Sequence, residues 1–60
     1  MQYNFEVWRN KTLVCVGGTY GDIDSLNNRA ISICKERNAT NYVIFKIIDG
    51  ERMYLKTVEC

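Results

Sequence analysis

Sixty residues suffice for one domain, and a chain this short buries only about 60% of the surface it exposes when unfolded, so its stability is marginal. Hydrophobic residues make up 47% of it, with no proline and four glycines, which excludes disorder and low complexity. Eight basic and seven acidic side chains leave a net charge of +1, which excludes an overall field strong enough to steer the chain to nucleic acid or anionic lipid, so charge-driven binding needs a local patch.

Residues 2–9 alternate, with Tyr3, Phe5 and Val7 on one side and Asn4, Glu6 and Trp8 on the other, which predicts a strand. Asn10-Lys11 reads as a turn and Thr12–Val16 as a second strand. A two-residue turn places Val14 opposite Val7, Val16 opposite Phe5 and Leu13 opposite Trp8, the last pair on the outer face beside Glu6 and Cys15. Gly17-Gly18-Thr19-Tyr20-Gly21 breaks the pattern. Asp22 or Asp24 then caps a helix over about 24–37 by accepting its free N–H groups, and Asn38 suits a left-handed end. Leu26, Ala30, Ile33 and Cys34 form the buried stripe, with Ile31 on its flank.

Tyr42–Ile48 is the most apolar segment, and Arg52–Val58 follows it through Asp49-Gly50, a hairpin signal. A two-residue loop sets Val43, Phe45 and Ile47 on one face with Arg52, Tyr54 and Lys56. A three-residue loop, Ile48-Asp49-Gly50, instead groups them with Met53 and Leu55, and the segregation of apolar from charged side chains favours this register. The expected domain is therefore α+β: ββαββ over residues 1–60, a four-stranded antiparallel sheet in the order 2-1-3-4 with one helix on one face. Its core combines Phe5, Val7, Val14, Val16, Leu26, Ala30, Ile33, Val43, Phe45, Ile47, Met53 and Leu55.

Catalytic supply is poor. Without histidine there is no ordinary general base near neutral pH and no imidazole metal ligand. Cys15, Cys34 and Cys60 lack CxxC spacing and are odd in number, which reads as thiols in a reducing compartment, with Cys34 in the core and Cys60 a terminal thiol. Asp22 and Asp24 are explained by capping. The glycine loop matches neither a P-loop nor a dinucleotide fingerprint. No cofactor is expected. No apolar run is long enough to span a bilayer and residues 1–8 do not form a signal peptide, so the expectation is a complete cytoplasmic chain. The triplets Asn10-Lys11-Thr12 and Asn38-Ala39-Thr40 are then chance matches to a glycosylation signal.

A single helix covers one face of such a sheet, which leaves Trp8, Leu13, Tyr42, Ile44 and Tyr54 on the open face, ringed by Glu6, Lys46, Arg52 and Lys56. Trp, Tyr and Arg dominate protein interfaces. The same Tyr42, Tyr54, Lys46, Arg52 and Lys56 also form an aromatic and basic platform of the kind that stacks single-stranded bases. A self-assembling subunit, such as a homodimer, is a third reading.

The capped helix from Ser25-Leu26 to Lys35-Glu36, the hairpin Val43 to Leu55 through Asp49-Gly50 and the end Glu59-Cys60 give a layout that resembles small phage-encoded inhibitors of host defence, anti-CRISPR proteins and a phage antitoxin among them. The resemblance implies a stoichiometric inhibitor or adaptor that blocks a host protein or complex in the host cytoplasm. Many anti-CRISPR proteins are strongly acidic DNA mimics, whereas this chain is near neutral, so the mode implied is occlusion of a protein surface.

Overall fold

In the computed structural model, which describes residues 1–60, the elements run β1 (Gln2–Arg9), β2 (Thr12–Val16), α1 (Ile23–Arg37), β3 (Asn41–Ile48) and β4 (Glu51–Glu59). They form one antiparallel sheet in the order β2-β1-β3-β4, with α1 packed chiefly on β1 and β3. The expected ββαββ architecture is the one observed. No helix is long and apolar enough to cross a membrane.

The helix forms where its ends are satisfied. Asp22 is extended, and its Oδ2 accepts from the Ser25 N–H at 3.0 Å and the Ser25 hydroxyl at 2.9 Å. Asn38 ends the helix at φ 54°, and the Arg9 guanidinium donates to the carbonyls of Arg37 and Asn38. Beneath the helix lie Phe5, Val7, Tyr42 and Ile44, which with Leu26, Ala30, Ile33 and Cys34 make up the core.

Three details of register differ from expectation. In the first hairpin Leu13 does face Trp8, but a bulge makes Val14 an extra residue, so Val7 pairs with Cys15 and Glu6 with Val16. Val16 therefore lies 53% exposed on the outer face instead of in the core. The reason is the Phe5 ring. The Gly17 N–H bonds the Phe5 carbonyl at 2.7 Å, and a Cβ at Gly17 would lie 2.0 Å from the ring, so the position opposite Phe5 has room only for glycine. The bulge slips the strand by the one residue that delivers it. Asn4 secures the arrangement by donating from Nδ2 to the Gly17 carbonyl at 2.7 Å.

In β3 the buried side is the opposite of the expected one. Phe5 pairs with Ile44 and Val7 with Tyr42, so Tyr42 and Ile44 face the helix while Val43, Phe45 and Ile47 face outward. Tyr42 is buried despite its hydroxyl because that hydroxyl reaches the Asn27 Oδ1 at 2.9 Å. The entry to the strand is also fixed. The Thr40 N–H bonds the Trp8 carbonyl at 2.9 Å, and its Oγ1 accepts from the Asn10 N–H at 2.8 Å.

The second hairpin has a two-residue loop, not a three-residue one. Ile48 pairs with Glu51, and Asp49 and Gly50 both take positive φ, 51° and 80°. These angles give the tight turn whose twist suits a hairpin. That loop turns Arg52 and Tyr54 outward and Met53 to the helix-bearing side, and a bulge at Leu55 then shifts the register so that Lys56 and Val58 also lie on the helix-bearing side. Neither Met53, 51% exposed, nor Leu55, 40% exposed, joins the core.

The cysteine expectation is also corrected. Cys34 is in the core, 3% exposed, but it is bonded to Cys60, with the Cα atoms 5.9 Å apart, and only Cys15 is free. The pair is 26 residues apart in sequence, and no spacing motif marks it.

Candidate interaction surface

The helix-free side of the sheet has no second layer. Trp8 and Glu6 from β1, Leu13 and Val16 from β2, Val43, Phe45 and Ile47 from β3, and Arg52 and Tyr54 from β4 share this side through their cross-strand pairing. At its centre the Arg52 guanidinium lies 3.9 Å from the Phe45 ring centroid and pairs with Glu6. Glu6 also accepts from the Trp8 indole at 3.2 Å. One carboxylate thus ties β1 to β4 across Phe45 and orients both the tryptophan and the arginine. The ion pair itself is partly exposed, with the Arg52 side chain 39% accessible, so its net worth is small, roughly 0–1 kcal/mol. Its effect is orientation more than stability.

Exposed apolar area lies to either side of this centre: Leu13 at 44% and Val16 at 53% toward the β2 edge, and Tyr54 at 65% toward β4. The Tyr54 hydroxyl and the Thr57 Oγ1 are 3.0 Å apart, a hydrogen bond along the strand.

Of the eight surface residues expected from the sequence, Trp8, Leu13, Arg52 and Tyr54 lie on this side. Tyr42 and Ile44 are under the helix, 2% and 0% exposed, and are corrected to core. Lys46 pairs with Tyr3 and Met53, and Lys56 with Ile44, so both lysines lie on the helix-bearing side. Val16, Val43, Phe45 and Ile47 belong to the open face and were assigned to the core by sequence reasoning. The dipeptide Asp49-Gly50 was the available signal, since it favours a two-residue loop and with it the observed pairing of Phe45 with Tyr54.

The helix-bearing side has a second feature. Between α1 and the end of β4 runs a groove of about 390 Å³, lined by Ile31 and Lys35 of the helix, Ala39, Val58 and Glu59, and by the disulfide-bonded Cys34 and Cys60. No protein-family model matches the chain, and no curated protein or solved structure matches it either.

Proposed function

We propose that this is a non-enzymatic protein-binding domain, an inhibitor or adaptor that occludes a partner protein with the open face of its sheet. The observation that carries the reading is the absence of a covering layer over Val43, Phe45 and Ile47, combined with exposed Leu13, Val16 and Tyr54 around a tryptophan and an arginine held in place by Glu6. Oriented Trp, Tyr and Arg side chains are the residues that concentrate binding energy at interfaces. The resemblance of the sequence layout to phage inhibitors of host defence is in keeping with this reading and contributes no residue.

Single-stranded nucleic acid fits this face less well. Two of the three cations on which that alternative rests, Lys46 and Lys56, lie on the other side, and the third, Arg52, is paired with Glu6. Affinity capture from a lysate, with and without nuclease and at low and high salt, tests the proposal. Expected is one nuclease-resistant protein partner, retained at high salt, and lost with Leu13→Asp or Tyr54→Ala but kept with Lys56→Glu on the opposite side. Recovery of nucleic acid alone, or of the chain only with itself, or loss with Lys56→Glu instead, overturns it.

A further inference from the structure

The groove beside the helix contains the Cys34–Cys60 disulfide, whose two residues are unequally accessible. Both cysteines line the groove, but Cys34 is 3% exposed, whereas Cys60, the residue after β4, is exposed. Thiol–disulfide exchange runs in line with the S–S bond, so the sulfur that a thiolate can reach decides which one is attacked. The groove wall supplies one cation, Lys35, which is in no ion pair, since the only one in the structure joins Arg52 to Glu6, whereas Glu59 pairs with Asn41 and so belongs to the opposite face of the sheet. The remaining walls, Ile31, Ala39 and Val58, are apolar, and about 390 Å³ lies within the range of small-ligand sites.

We propose that the Cys34–Cys60 bond is a thiol-exchange site entered from the Cys60 side, and that the groove receives a small thiol bearing a carboxylate. Lys35 faces the carboxylate of the incoming thiol. The thiolate forms a new S–S bond to the Cys60 sulfur as the bond to Cys34 breaks. Cys34 leaves with the electron pair and takes up a proton from solvent, replacing the one that the incoming thiol lost. The product is a mixed disulfide on Cys60 and a free thiol on Cys34, with no net oxidation or reduction.

Reduced glutathione is the probe, with 2-mercaptoethanol as the uncharged comparison. The folded chain is pulsed with each thiol, quenched in acid, alkylated and cut with trypsin, which separates Cys34 (released by cleavage after Arg29 and Lys35) from Cys60 (released after Lys56). The expected result is glutathione on Cys60 and the alkyl label on Cys34 in the folded chain, against an even split in a urea-unfolded one. Lys35→Glu lowers the glutathione rate relative to 2-mercaptoethanol by about two- to five-fold, the range one exposed ion pair supports, and Lys35→Arg preserves it. Adducts shared equally between the two cysteines of the folded chain, or a rate ratio that Lys35→Glu leaves unchanged, overturn the proposal.

Discussion

At Tyr42 a polar atom is placed in the core on condition that it has a partner, and the Asn27 side chain provides one. Burial also raises the phenol's pKa above its ordinary 10.0. A raised folded-state pKa contributes stability that is complete below pH 10 and lost as pH rises through the folded value. Tyr42→Phe therefore costs about 0.5–1.5 kcal/mol at neutral pH, from the lost hydrogen bond. In the same variant, denaturant unfolding above pH 10 declines less steeply than in the parent. Gly17 and Gly18 supply a second contrast at this scale. An added Cβ at Gly17 collides with the Phe5 ring, which is fully buried, while at Gly18 it meets nothing within 4 Å. Gly17→Ala is expected to destabilise by about 1–3 kcal/mol and Gly18→Ala by no more than about 0.5, measured by urea melts.

The elements themselves were legible in the sequence, and their faces only in part. Strand β1 alternates cleanly and the helix shows one apolar stripe, so Phe5, Val7, Leu26, Ala30, Ile33 and Cys34 were assignable to the core. Strand β3 is apolar on both sides, and period-2 reasoning has nothing to choose between Tyr42/Ile44 and Val43/Phe45/Ile47. The choice is made by neighbours: the pairing with β1 and the tight connection through Thr40. Bulges were equally invisible, because the need for glycine opposite Phe5 is a fact of three dimensions. The same limit reduced the expected surface to Trp8, Leu13, Arg52 and Tyr54. The helix cap, by contrast, was readable and makes a prediction of its own. The Asp22 pKa is lowered by its side-chain and backbone bonds to Ser25. A lowered value contributes stability present above pH 3.8 and lost as pH falls below it. Asp22→Ala should melt at a lower temperature than the parent at pH 7, with the difference narrowing below pH 3.8.

For the whole molecule the decisive correction is the Cys34–Cys60 bond. It joins the edge strand β4 to the helix layer, whose packing is otherwise on β1 and β3. Closing a loop of this length contributes about 3–4 kcal/mol on the chain-entropy account. That is comparable with the total stability of a domain of this size, about 3–9 kcal/mol. Cys60→Ser should lower the urea midpoint accordingly, whereas Cys15→Ser leaves the cross-link intact. A structural bond of this kind persists where the surroundings are oxidising, so the thiol argument for a cytoplasmic setting no longer holds.

The bond between Trp8 and Glu6 has a further, optical consequence. Trp8 is the only tryptophan in the chain, and its indole is fixed on the open face of the sheet, partly accessible to water. Its emission therefore reports the polarity of that one surface without any label. A partner that seats over the face displaces water from the indole and shifts the fluorescence to shorter wavelength, while a ligand in the groove across the sheet leaves the spectrum where it was. The molecule thus distinguishes occupants of its two sides by colour.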